Sequence, residues 1–221
     1  MFTDIDTETT RRLSEAKWYI DNIVESFHSP EDTFREKLFK GSFFVCLYGA
    51  IEYTVVTLIS RVIDKINEAQ HIQVIQLKSS LLSLLLHNEC NALFQASDKK
   101  WKKRLHLFNR INDEEKSAIE NTILPAQSGN LKYQQIEQIC EVLGVEFPII
   151  NDPSLNYRLS TIADNRNAIA HGRKTGCEVG GQYTKNHLVE YYNAIQEYCL
   201  YLNQQLYQYI ENRHYLKPDN R

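Results

Sequence analysis

Apolar positions recur at helical intervals along most of this chain. Leu13, Ala16 or Trp18, Ile20, and Ile23 or Val24 predict a first helix through TDIDTETTRRLSEAKWYIDNIVESFHS. Ser29-Pro30 closes it, because Pro30 cannot continue the hydrogen-bond ladder and disfavours helix at the residue before it. Pro30-Glu31-Asp32 is an acidic start for a second helix over about 31–69, in which Gly41 or Gly49 marks a kink or a tight crossing. HIQVIQL alternates and predicts a short strand or an irregular lead-in. SSLLSLLLHNECNALF reads as helix, with Leu82, Leu85, Leu86 and Leu93 for the core. A basic run, KKWKKR (99–104), precedes LHLFNRINDEEKSAIENTIL, which contains another helix closed by Pro125. After a QSGN turn, Asn130 caps a helix with Ile136, Ile139, Cys140 and Leu143 on one side and Gly144 as its stop. VEFPIINDPS is a loop, and a helix follows over about 154–171. GRKTGCEVGGQ, with four glycines, reads as a flexible connection. In the last helix, about 184–213, Leu188, Tyr192, Ile195, Cys199, Leu202, Leu206 and Tyr209 alternate by four and three, a heptad seam.

These elements make an all-α bundle of long antiparallel helices, with no place to cut the 221 residues into two domains. Composition agrees: 43% hydrophobic residues describe a globular chain. GSFFVCLYGAIEYTVVTLIS (41–60) is long and apolar enough to mimic a membrane span. Glu52 in its middle argues for a core helix instead, because a carboxylate at the bilayer centre costs several kcal/mol. No membrane partner is expected. The net charge of −3 excludes non-specific coating of nucleic acid, so RNA contact would be local. Five scattered cysteines form no CxxC pair, which fits a reducing cytoplasm and indicates neither a disulfide framework nor a zinc knuckle.

The chemistry concentrates in ADNRNAIAHG (163–172). On a helix, Asn167 and His171 are four residues apart and share a face, and the long side chain of Arg166 reaches back over it. Ala168 and Ala170 are small enough to let another backbone or a substrate approach. Gly172 ends the helix, so His171 lies in the final turn. Imidazole ordinarily titrates near neutral pH, as an acid–base group needs. Glu52, alone in an apolar helix, needs a partner, and Arg166 is an economical one: Glu52 would align one edge of the guanidinium and leave the other for a phosphate.

Elsewhere each signal has two readings. Lys99, Lys103 and Arg104 in the basic run either track RNA phosphates with Trp101 stacking a base, or form a solvated face with Trp101 tucked into the core. The six tyrosines from Tyr191 to Tyr209 suit core or interface packing better than base stacking. His87 and Cys90 are too few for zinc, and no GxxxxGKS loop or GxSxG elbow is present. No cofactor is expected.

Arg166-Asn167-Ala168-Ile169-Ala170-His171 resembles the signature of HEPN domains: an arginine, a polar residue, three to five spacers and a histidine, near the end of a late helix. Glu52 inside an earlier apolar helix is also similar to several HEPN groups. The resemblance implies a helical bundle that dimerises and brings two motifs together across a cleft. It implies a metal-independent endoribonuclease of the bacterial toxin or phage-defence kind. Such enzymes cut RNA by 2′-hydroxyl attack, leaving a 2′,3′-cyclic phosphate and a 5′-hydroxyl. His171 would be general acid or base, Arg166 would bind the scissile phosphate, and Asn167 would orient His171 or touch the phosphate. The implied partners are RNA, a second copy of the chain, and an antitoxin or defence-system protein. Other HEPN proteins have lost activity and serve as modules that bind RNA, nucleotide or a partner protein, and this is the alternative reading.

Overall fold

The long apolar segment becomes the axis of the molecule. The computed structural model describes residues 1–23, 30–112, 118–120 and 131–220. Among them run the helices α1 (Thr3–Asp21), α2 (Pro30–Glu68), α3 (Ser79–Leu85), α4 (His87–Phe94), α5 (Lys100–Ile111), α6 (Tyr133–Leu143), α7 (Ser154–Ala170), α8 (Gly176–Gly180) and α9 (Lys185–Glu211). The all-α bundle expected from the sequence is what forms. α2 is packed by α1, α7, α8 and α9. By length and composition α2 is able to cross a membrane, but more than half of its apolar window, 56%, is buried inside the bundle. Phe43, Phe44, Leu47, Tyr48, Ile51, Val55 and Leu58 are all sealed from solvent. Burial of each such side chain contributes about 1.5–3 kcal/mol, so α2 anchors the core.

The heptad seam of α9 is buried along its whole length, from Leu188 to Tyr209. Four of its tyrosines (Tyr191, Tyr192, Tyr198 and Tyr209) pack inward, as expected of core residues. Thr184 caps α9: its hydroxyl accepts from the His187 amide at 3.3 Å. Halfway along, the buried Asn203 closes a two-bond clasp on Phe2 just ahead of α1, accepting from its amide at 2.9 Å and donating to its carbonyl at 3.0 Å. A second polar contact inside the bundle pairs the hydroxyls of Thr9 and Thr54 at 2.9 Å. Both join helices far apart in sequence without leaving a buried group unsatisfied.

Several expectations change. α1 ends at Asp21, with Asn22 as its C-cap; the predicted stop at Ser29 lies outside the described residues. Of the two readings of HIQVIQL the irregular lead-in is the one found: Val74–Gln76 forms a 3-10 turn, and Leu77 makes only a single antiparallel bridge to Leu216. The leucine-rich helix is broken at Leu86 into α3 and α4. The basic run does not precede a helix but opens one, since α5 starts at Lys100. Pro125 and the proposed cap Asn130 lie outside the described residues, and the N-cap position of α6 is held by Lys132. Gly144 takes the left-handed C-cap (φ 71) as expected.

The glycine-rich connection after the motif is also not flexible in form. Thr175 caps the short helix α8 with a reciprocal bond to Glu178. Its glycines serve close approach to α2. A Cβ on Gly180 would stand 1.9 Å from the Lys37 carbonyl oxygen, and one on Gly41 would stand 2.1 Å from that of Gly176. Gly41 therefore marks a tight crossing, while the space around Gly49 is open.

Candidate active site at the end of α7

α7 ends where the sequence places its stop. The Arg173 amide donates to Ala168 O at 2.8 Å, and the Gly172 amide to Ile169 O at 3.0 Å. With Gly172 at φ 65, this is a Schellman closure, which satisfies carbonyls that would otherwise be orphaned at the helix end. His171 is the C-cap residue. Its amide bonds to Asn167 O at 3.0 Å, and its ring is exposed and makes no hydrogen bond among the described residues. Arg173 and Lys174, both exposed, follow on the same turn. The sequence reading missed these two cations, although they stand immediately after the motif.

Arg166 is held from two sides. Its guanidinium carbon lies 4.5 Å from the centre of the Tyr48 ring, and its Nη1 donates to Asn167 Oδ1 at 3.0 Å. A cation over an aromatic face gains about 0.5–2 kcal/mol, depending on how far it is desolvated. Tyr48 is itself fixed: its hydroxyl accepts from the Leu131 amide at 2.9 Å and donates to Glu52 Oε1 at 3.3 Å. Burial pushes the Tyr48 phenol above its usual range. The Leu131 amide opposes that shift, Glu52 adds to it, and Arg166 opposes it in turn.

Two expectations are corrected here. Glu52 does not pair directly with Arg166. It is half-buried and accepts from the Tyr48 hydroxyl, so the Tyr48 ring stands between the carboxylate and the arginine. Tyr48 stands one turn before Glu52 on α2, on the same face, and that spacing was the available signal. Asn167 turns to Arg166 rather than to His171. It is buried at 7% exposure, while the C-cap geometry swings His171 out to solvent.

The surrounding contacts hold α7 in place. The neighbouring Asn165 is buried and donates to the Tyr183 hydroxyl at 2.8 Å, and the Tyr183 ring packs on Phe44 of α2 with centroids 4.6 Å apart. Lys132 Nζ pairs with Asp164 at 2.6 Å and ties the start of α6 to α7. Leu159 and Ile162 are buried beneath the motif, and Ile169 packs against the same core. The result is an arginine held on Tyr48 and Asn167, and an exposed imidazole at the end of the same helix, followed by two exposed cations. Such a corner suits binding of a phosphate and transfer of a proton near it.

The basic run lies elsewhere, on the α4–α5 hairpin. Lys99 and Arg104 are exposed. Lys103 is half-buried, and its ammonium donates to Ala92 O at 2.8 Å, which ties α5 to α4. Trp101 is not tucked into the core: it is 79% exposed. Among the described residues no group of three or more His, Cys, Asp or Glu is gathered to hold a metal ion. Cys140 and Cys199 are buried, and burial pushes both thiols up to about 12.

An all-helical bundle with Arg166, Asn167 and His171 closing a late helix has the architecture of the HEPN class. A family model described as RiboL-PSP-HEPN matches residues 7–208, and the chain belongs to that HEPN family. Membership points to nuclease or otherwise RNA-related chemistry. Neither the comparison with curated proteins nor that with solved structures gave a match.

Proposed function

We propose that the protein is a metal-independent endoribonuclease acting as a cytoplasmic bacterial toxin or anti-phage effector. One observation carries this reading: an unengaged, exposed imidazole five residues after an arginine already fixed by Tyr48 and Asn167. In the reaction, the 2′-oxygen of a ribose forms a bond to the adjacent phosphorus as its proton passes to a base. The bond from phosphorus to the 5′-oxygen breaks, and that oxygen takes a proton from an acid. The products are a 2′,3′-cyclic phosphate and a 5′-hydroxyl. His171 serves as one of the two proton-transfer groups. Arg166 binds the non-bridging oxygens and stabilises the charge that builds on them in the transition state. Asn167 keeps Arg166 aimed.

Each chain carries one motif histidine, whereas the reaction needs both an acid and a base. Two copies around one cleft supply both, so the active species in this reading is a homodimer. A partner protein, such as an antitoxin, would silence it by covering the corner. Purified wild type and His171→Ala, each incubated with RNA in EDTA, test the reading. Cleavage present in the first and lost in the second is expected. No cleavage by either, with RNA retained through Arg166, would replace it with a non-catalytic binding module.

A further inference from the structure

α4 and α5 differ from the rest of the bundle in burying nothing: neither helix contains a buried residue. They pack mainly on each other, with further contact to α3 and to the 3-10 turn at 74–76. The turn between them is sharp, with Lys99 in the left-handed region at φ 62. Lys103 bonds to Ala92 O, and Arg110 Nε reaches Glu89 at 3.4 Å, so polar ties hold the hairpin shut. The inner side of α5, with Leu107 and Ile111, is half-buried. Its outer side carries Trp101, Leu105 and Phe108 at helical spacing, 79%, 63% and 62% exposed. Phe94 at the end of α4 is 90% exposed. An apolar surface left open on this scale marks an interaction site.

Charge selects the occupant. The hairpin, residues 87–111, holds six Lys and Arg against two acids, in a chain whose net charge is −3. Arg104 and Lys100 flank the apolar stripe on one side and Lys102 on the other, and all three are exposed. The Arg104 guanidinium lies 4.9 Å from the centre of the Trp101 ring. It covers part of the ring and leaves most of the side chain open. A polyanion with flat apolar rings uses both halves of this surface. Phosphates neutralise the lysines and Arg104, and unpaired bases stack on Trp101 and Phe108. A duplex would hide its bases from those rings, so the strand must be single.

We propose that the α4–α5 hairpin is a docking arm for single-stranded RNA, separate from the corner at the end of α7. It gives an otherwise acidic chain its hold on the substrate. This rests on the reading that the protein acts on RNA.

The test uses the full chain carrying His171→Ala, so that bound RNA is not cut. The probe is a fluorescein-labelled oligouridylate of about 16 nucleotides in EDTA, followed by anisotropy. Trp101→Ala should weaken binding about tenfold, the loss of one stacked base. Lys100→Glu with Arg104→Glu should weaken it by at least about tenfold and flatten its dependence on salt. All these side chains are exposed, so the thermal unfolding midpoint should stay unchanged, which separates lost contact from lost fold. Unchanged RNA affinity in both variants overturns the arm. So does failure of the parent to bind the probe at all. An effect of the substitutions only on self-association, or only on binding to anionic vesicles, also overturns it and assigns the stripe to a second copy or a lipid surface. Arm-dependent binding in a protein whose wild type cuts no RNA would sink the nuclease reading and leave the arm standing. Cleavage with arm-independent binding would do the reverse.

Discussion

The α7 corner and the α4–α5 hairpin are both cationic, yet they are built in opposite ways. Beneath the exposed His171 the corner is knit together by polar contacts: Arg166 on Tyr48 and Asn167, Tyr48 on Leu131 and Glu52, and Asn165 on Tyr183. Behind it, α8 is pressed onto α2 at a distance only glycine permits. The two helices of the hairpin instead bury no residue and show their largest side chains to solvent. Rigid packing fixes geometry to a fraction of an ångström, as positioning a reacting phosphate demands. An open face of rings and cations asks for no such register and suits a strand held in many positions. On the proposed reading, the difference separates a place for chemistry from a place for capture.

The contrast breaks most sharply at Arg166. Replacing it by Ala should lower kcat/KM for RNA cleavage about 1000-fold, the scale of losing a preorganised donor to transition-state charge. The fold should remain, which circular dichroism will show. The next effect is on stability. Gly180→Val would drive a side chain into the Lys37 carbonyl and force α8 off α2. A cost of about 3 kcal/mol is expected, with the thermal midpoint falling by about 6–12 °C. Activity should fall with it, because α8 is joined to the motif by only a few residues. Smaller again is Tyr48→Leu, which removes the ring beneath Arg166. Cleavage should drop about tenfold. Tyr48→Phe keeps the ring and should retain most of the activity while losing about 1 kcal/mol of stability, through the unmet Leu131 amide. Measuring kcat/KM and unfolding on both variants separates stacking from hydrogen bonding. The mildest test needs no mutation. Under native conditions an alkylating reagent should modify the exposed Cys90 of α4 and spare Cys140 and Cys199, which are buried with thiols held up to about 12. Mass spectrometry reads the pattern, and labelling of the two core cysteines without denaturant would contradict the packed core.

What the sequence made legible was what local spacing dictates. The α9 seam repeats over seven positions of one helix, and every one is buried. The motif and its glycine stop are likewise contiguous, so α7 and its C-cap were readable residue by residue. Where tertiary contact decides, the reading failed. Four glycines in GRKTGCEVGGQ suggest flexibility, but one of them, Gly180, together with Gly41 of α2, lets α8 meet α2 backbone to backbone. Trp101 was weighed as a core residue because its ring is large and apolar, yet the helix beginning at Lys100 turns it outward. Glu52, a carboxylate in an apolar helix, needs a partner and Arg166 is an economical one by charge, but that logic overlooks an uncharged ring. Tyr48 stands inside a run of apolar residues, and only the folded chain brings Arg166 onto its face.

The most direct measurement is analysis of the ends left on RNA by the purified wild type in EDTA, beside His171→Ala. The wild type should leave 2′,3′-cyclic phosphate and 5′-hydroxyl ends. The variant should be slower by at least about 100-fold, the usual contribution of an acid–base group. Products ending in 5′-phosphate, or cleavage undiminished by loss of the imidazole, would contradict the proposed reaction.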